Sequence, residues 1–249
     1  MKIGIIGFGN LGKALASGLV KSGSASALYV CETSEDKCET ARSAPYNAHV
    51  SKDINFVIEN SDVIFLVVKS YVFEDMAKLI AKGVLTGKTV VSFMAGVTIE
   101  TLHSLVGNTT IVVAIPSLGI ADCEGVTGYT KAPAEVADIF HKLGYAIETA
   151  PEDIHKVMAF ASCGLGFAAY LIDAFAAAGQ TMGFTPEDCG HIAALTFKNA
   201  VDRGAPFRDT VRAVATPGGI TEQGLLHFDE CGVYDIVAQA MRKAYDRVT

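Results

Sequence analysis

Met1-Lys2-Ile3-Gly4-Ile5-Ile6-Gly7-Phe8-Gly9-Asn10-Leu11-Gly12 opens the chain and decides its fold. The first six residues form an apolar, β-branched run too short for a helix, so they predict a strand. After the glycines, Leu11, Ala14, Leu15, Leu19 and Val20 recur at helical spacing. Strand, Gly-x-Gly-x-x-Gly, helix is the context in which this pattern predicts a dinucleotide site. The first glycine permits a tight turn, the second lets a pyrophosphate approach the backbone, and the third packs helix on strand. Gly7, Phe8, Gly9, Asn10, Leu11 and Gly12 are therefore the expected cofactor-binding turn, with free N–H groups at the helix start meeting the phosphates. The bland alternative is a glycine-rich turn that binds nothing. An acid twenty residues beyond Gly12 weighs against it.

That acid is Glu32, at the end of a second strand, Leu28-Tyr29-Val30-Cys31. A carboxylate there accepts from both ribose hydroxyls of an adenosine and repels a 2′-phosphate. The expected cofactor is NAD(P)H, with NADH preferred. Glu35 and Asp36 add to the negative field, although acids are also ordinary in the first turn of a helix.

The 249 residues suit one large domain or two modest ones, and half of them are hydrophobic, enough for a full core. A net charge of −7 argues against a nucleic-acid partner or an anionic membrane surface. Met1 leads straight into a strand, so no signal peptide is expected. Six scattered cysteines without a Cys-x-x-Cys read as free thiols of a reducing cytoplasm. His227 and Cys231 share a helical face, but two ligands do not make a zinc site, and no metal is expected. Val157–Met182 is long and apolar. It contains Asp173 and Gln180 and is rich in Ala and Gly, which reads as a helix buried between other helices or between subunits, not a membrane span.

Further along, Asp62–Val68 is a continuous apolar run typical of a central parallel strand covered on both faces. Strands are also expected at Thr89–Phe93, Thr110–Ala114 and Gly125–Thr130, with helices over Glu35–Arg42, Lys52–Glu59 and Ile99–Leu105, the last capped by Thr98. The unit Ala132–Thr149 completes an alternation that specifies an α/β fold, a doubly wound (Rossmann) parallel sheet, over residues 1–150. Its ligand edge lies beyond the carboxyl ends of the strands, where Gly7–Gly12, Lys69-Ser70, Met94–Gly96 and Pro116–Gly119 fall. From Pro151 the pattern becomes helical: Glu152–Met182, Pro186–Arg203, Pro206–Ala213 and Val233–Val248. Residues 151–249 are the expected all-helical dimerisation and substrate-binding domain.

A second signature lies among these helices, Thr216-Pro217-Gly218-Gly219-Ile220-Thr221-Glu222-Gln223-Gly224-Leu225. Its exposed N–H groups, flanked by the hydroxyls of Thr216 and Thr221, make a neutral anion pocket fit for a carboxylate. The alternative is a Pro-Gly turn with Thr221 as an ordinary N-cap. This stretch resembles the Ser/Thr-Pro-Gly-Gly-Thr-Thr signature of the pyrroline-5-carboxylate reductases, with Ile220 in place of the first threonine of the pair. The resemblance runs through the chain: Val67-Val68-Lys69-Ser70 sits where that family has Ala-Val-Lys-Pro, and Ser92-Phe93-Met94-Ala95-Gly96 is similar to its Ser-Ile-x-Ala-Gly. Two segments depart. The family's Met-Pro-Asn-Thr-Pro is Ile115-Pro116-Ser117-Leu118-Gly119 here, and its Gly-Ser-Gly-Pro-Ala-Tyr is Ser162-Cys163-Gly164-Leu165-Gly166-Phe167.

The resemblance implies hydride transfer from a reduced nicotinamide to the C=N carbon of 1-pyrroline-5-carboxylate, giving L-proline. Carried over by position, Thr216, Gly218, Gly219 and Thr221 would hold the substrate carboxylate, with Thr221 also near the imine nitrogen. Val68 and Lys69 would lie beside the nicotinamide ribose, and Ala95 and Gly96 would border the nicotinamide. Thr221 and Lys69 are the candidate catalytic residues; for Lys69 the bland reading is a helix-start lysine facing water. The resemblance further implies a homodimer, with assembly into a higher ring as an extension, in which each cleft combines one subunit's nucleotide domain with the other's Gly-Gly loop. Two alternatives stay open: a related reductase of another cyclic imino acid, favoured by the two departures, and a non-catalytic nucleotide-binding regulatory homologue. A β-hydroxyacid dehydrogenase would need a lysine within the long helix, and Lys156 lies before its apolar part.

Overall fold

The computed structural model describes residues 1–81, 83–107 and 109–248. Eight strands form one sheet: β1 (Lys2–Ile6), β2 (Ala27–Cys31), β3 (His49–Ser51), β4 (Val63–Leu66), β5 (Thr89–Ser92), β6 (Thr110–Pro116), β7 (Gly125–Tyr129) and β8 (Gly144–Glu148). Their spatial order is β3-β2-β1-β4-β5-β6-β7-β8. The chain therefore starts in the middle of the sheet and winds outward in both directions, as the opening motif demands. Helices α1 (Asn10–Lys21), α2 (Glu35–Arg42), α3 (Ile54–Glu59), α4 (Ser70–Ala77), α5 (Ile99–Val106) and α6 (Ala134–Lys142) alternate with the strands. The apolar run expected at β4 is buried at all four positions. Phe65 on it meets Phe93 and Phe140 edge-on, at 5.4 and 6.5 Å between centroids, in the main core.

Two features of the sheet differ from the expectation. β7 runs antiparallel to β6, with Ala114 opposite Tyr129 and Pro116 opposite Thr127, so the sheet is mainly rather than wholly parallel. The link from Pro116 to Gly125 holds only a 3-10 segment, Leu118–Asp122. A parallel crossover needs a dozen or more residues, so the chain can only turn back. β3 is a three-residue strand beside β2 with no buried position, which leaves no hydrophobic pattern to read.

The described residues divide into two compact units: Met1–Ser162 with the C-terminal end from Tyr245 on, and Cys163–Ala244. The expected helix Glu152–Met182 is one helical run, Pro151–Thr181, but it is not α-helical throughout. A 3-10 turn (Pro151–Asp153) and α7 (Ile154–Val157) pass into a π-helical turn, Met158–Ser162, before α8 (Cys163–Thr181). Ile154, Met158 and Ala159 are buried in the first unit. The second unit contains α8, α9 (Pro186–Asp202), α10 (Phe207–Val214), α11 (Ile220–Glu230) and α12 (Val233–Tyr245, whose last residue belongs to the first unit). Thr185 caps α9 by accepting from the Asp188 N–H, with Pro186 in the first turn. Phe175 on α8 meets Phe197 on α9 edge-on at 5.7 Å. No residue of α8 is buried within the single chain, so neighbouring helices of its own subunit do not enclose it.

Candidate active site

The glycine turn has the geometry its spacing predicts. Gly7 adopts φ +98°, and a Cβ there would lie 2.5 Å from the Val67 carbonyl oxygen and 2.8 Å from Val68 Cγ1. At Gly12 a Cβ would lie 2.3 Å from the Gly7 carbonyl oxygen, whereas Gly9 faces open space. Gly9 is the N-cap of α1 and supplies no side-chain bond, so the first-turn N–H groups of Asn10, Leu11 and Gly12 remain available to an anion. Phe8 behaves differently. Its ring is fully buried and packs edge-on against Tyr46 at 5.5 Å, so its side chain belongs to the core.

Register brings the other expected cofactor residues to the same edge. Ile6, Leu66 and Ser92 are neighbours across β1, β4 and β5. The ladder continues one step, with the Val67 N–H donating to the Ile6 carbonyl and the Phe93 N–H to that of Leu66. Val68 then lies against Gly7, and Lys69 is the N-cap residue of α4, exposed and without an ion pair among the described residues. Ala95 and Gly96 are exposed beyond β5, Gly96 at φ +74°.

Glu32 shows a role the sequence does not reveal. Its carboxylate Oε2 accepts from the Phe8 N–H at 2.9 Å, and Oε1 accepts from the Thr33 and Ser34 N–H groups at 2.8 and 3.0 Å. The Lys37 ammonium stands 3.7 Å away, and the Glu32 side chain is only 9% exposed. Burial alone would raise its pKa, but the three backbone donors and Lys37 outweigh burial and hold the carboxyl below its ordinary value. The residue thus ties the end of β2 to the glycine turn through Phe8. Only the spacing between the turn and the acid could have signalled this, and the same spacing signals ribose binding.

The second signature lies in the helical unit. Thr216, Pro217, Gly218 and Gly219 form a β-turn closed by the Gly219 N–H donating to the Thr216 carbonyl at 2.8 Å, with Gly218 at φ +74°. Proline second and a positive-φ glycine third are the type II arrangement. α11 starts at Ile220 with Gly219 as its N-cap, so Thr221 sits inside the first turn and is not the cap. Its side chain is exposed, and its hydroxyl has no partner among the described residues. The pocket is not neutral, contrary to expectation. Glu222 folds back from α11 and its Oε2 accepts from the Gly218 N–H at 2.7 Å.

The two departing segments touch. The Ser162 hydroxyl donates to the Pro116 carbonyl at 3.0 Å, and the buried Ser117 exchanges bonds with Val126, accepting at Oγ and donating from N–H. Among the described residues no three His, Cys, Asp or Glu side chains converge as a metal site. Lys156 pairs with Asp153 at 2.5 Å on the surface before the π turn.

The family described as pyrroline-5-carboxylate reductase dimerisation matches residues 151–249, and that of the NADP oxidoreductases, coenzyme F420-dependent, matches residues 2–96. The pyrroline-5-carboxylate reductase of Aquifex aeolicus is 26% identical, over 98% of this chain and 94% of its own length. That of Escherichia coli is 27% identical, over 99% and 96%. Over nearly its whole length the chain is similar to pyrroline-5-carboxylate reductases. Its fold also superposes on a Plasmodium falciparum pyrroline carboxylate reductase with NADP bound, with a TM-score of 0.87 at 23% identity, over 100% of this chain and 97% of that one. The two segments that depart from the reductase signatures are joined by one hydrogen bond, Ser162 to Pro116.

Proposed function

We propose that the chain is an NAD(P)H-dependent pyrroline-5-carboxylate reductase, working as a cytoplasmic homodimer and preferring NADH. The observation that carries this reading is the type II Gly-Gly turn leading into α11, inside the region that matches the reductase family. The glycine turn and the first-turn N–H groups of α1 suit the cofactor pyrophosphate. Val68, Lys69, Ala95 and Gly96 would border its nicotinamide half. Reduced nicotinamide supplies the hydride, which goes to the C=N carbon, while the nitrogen carries a proton in the product. A cyclic imine can arrive already protonated, so hydroxyl groups suffice and no strong general acid is required. The turn's hydroxyls and the first-turn N–H groups of α11 would hold the substrate carboxylate, with the Thr221 hydroxyl beside the imine nitrogen. Six free thiols, none paired in a disulfide, suit a reducing cytoplasm.

A second reading has its own support. The linked departures at Ser117 and Ser162 favour a relative that reduces a six-membered or 2-carboxylate cyclic imine. NADH oxidation measured with 1-pyrroline-5-carboxylate and these two imines separates the readings. Preference for the first supports the proposal, and preference for another moves the substrate. Turnover of none leaves a nucleotide-binding regulatory homologue. Thr221→Val tests the site itself: kcat/KM falls roughly ten- to a few hundred-fold while NADH affinity holds. Normal turnover would remove Thr221 from the site.

A further inference from the structure

We infer that Glu222 sets the substrate affinity of the Thr216–Thr221 turn by placing the chain's own carboxylate on an N–H that a substrate carboxylate needs. The inference rests on the reading that this turn receives the carboxylate of a cyclic imino acid. A type II turn exposes the N–H of its third residue, and here that donor, Gly218, is spent on Glu222 Oε2 at 2.7 Å. The Gly219 N–H closes the turn on Thr216. Ile220, 95% exposed, brings no hydroxyl where a threonine would. The first turn of α11 and the hydroxyls of Thr216 and Thr221 are left for an incoming anion. Among the described residues no Lys, Arg or His forms an ion pair with Glu222, so its charge is not neutralised locally. Two carboxylates cannot share one N–H without facing each other at close range. A substrate carboxylate must therefore displace Glu222, whereas an imine without a carboxylate does not compete with it.

The competing explanation is purely structural: a glutamate three residues into a helix reaching back to a free N–H, as in a capping box. Two variants separate the two. Glu222→Gln keeps an acceptor for Gly218 but removes the charge, and Glu222→Ala removes both. Steady-state kinetics with 1-pyrroline-5-carboxylate and with 1-pyrroline, which lacks the carboxylate, give the first readout. Calorimetric titration of L-proline into the NAD⁺-loaded enzyme gives the second. In both variants KM for 1-pyrroline-5-carboxylate should fall about three- to tenfold with kcat little changed, and L-proline should bind tighter by a similar factor. KM for 1-pyrroline should stay where it was. An unchanged or raised KM for the carboxylate imine, with only a lower melting temperature, overturns the inference. If the wild type reduces neither imine, the reading of function fails on its own. Tighter L-proline in Glu222→Gln then upholds the role of Glu222, and unchanged or absent binding overturns it.

Discussion

A carboxylate that accepts three backbone N–H groups is held in place and held ionised, and both properties matter at Glu32. An ionised group at the end of β2 opposes a 2′-phosphate, so NADH should be used with higher kcat/KM than NADPH. Equal values would sink that expectation. The bond to the Phe8 N–H adds a consequence that a ribose contact alone would not have. Glu32→Gln loses an acceptor and the charge, so the nucleotide unit should lose about 1–2 kcal/mol of stability as well as selectivity. The pH dependence comes from the sign of the shift. The folded pKa lies below the ordinary 4.5, so the stabilisation is complete above that value and disappears as pH falls through the lower folded value. Melting temperatures of wild type and Glu32→Gln should therefore differ most above pH 4.5 and converge in acid. A constant difference down to the lowest pH would mean the charge contributes nothing. At this scale the sequence shows which residues are chemically capable, but not which atoms they face. Glu32 and Glu222 each take an N–H through a long side chain whose rotamer no spacing rule encodes.

Among the elements, α1 packs so closely that its glycines are readable only in part. Gly12 belongs to the motif and its contact with Gly7 is implied by spacing. Gly18 belongs to no motif, yet a Cβ there would lie 2.1 Å from the Ile120 carbonyl oxygen and 2.6 Å from Leu143 Cδ2. The 3-10 segment after β6 lies directly on this helix, with Lys21 Nζ donating to the Asp122 carbonyl at 2.9 Å and Cys123 Sγ to that of Gly18. Alanine favours a helix interior over glycine by roughly 1 kcal/mol, and an exposed site would gain that amount. Here the obstacle is backbone, which cannot swing aside like a side-chain end. Overpacking of about 1–3 kcal/mol should win, so Gly18→Ala lowers the urea midpoint. A raised midpoint would show that α1 and the segment separate at little cost. Elements with a periodic apolar face, such as α1, or a continuous apolar run, such as β4, could be read from the sequence. The reversal at β7 and the π turn at Met158–Ser162 could not, because both depend on how the chain must connect and pack.

For the whole molecule, the decisive surface is α8. The run Pro151–Thr181 is long and apolar enough to cross a membrane, yet only 6% of its most apolar stretch is buried in the single chain. Leu165, Tyr170 and Leu171 are exposed, and Tyr170 is 74% exposed. Apolar area of this extent marks an interaction surface. Lipid fits it poorly. The run's first turns are packed into the nucleotide unit through Ile154, Met158 and Ala159, and the helix beyond them carries Asp173 and Gln180. A second copy fits it well, because two-fold pairing sets the same small-residue and aromatic face against itself. The protein should therefore sediment without detergent at twice its 26.2 kDa or a multiple of it, and the multiple shows whether dimers close into a ring. Tyr170→Asp places a charge on that face and leaves the nucleotide unit untouched. It should shift the sedimenting species toward monomer and abolish imine reduction while NADH still binds to the glycine turn. A wild-type monomer at micromolar concentration, or a fully active monomeric Tyr170→Asp, would show that α8 is covered by something other than a second copy.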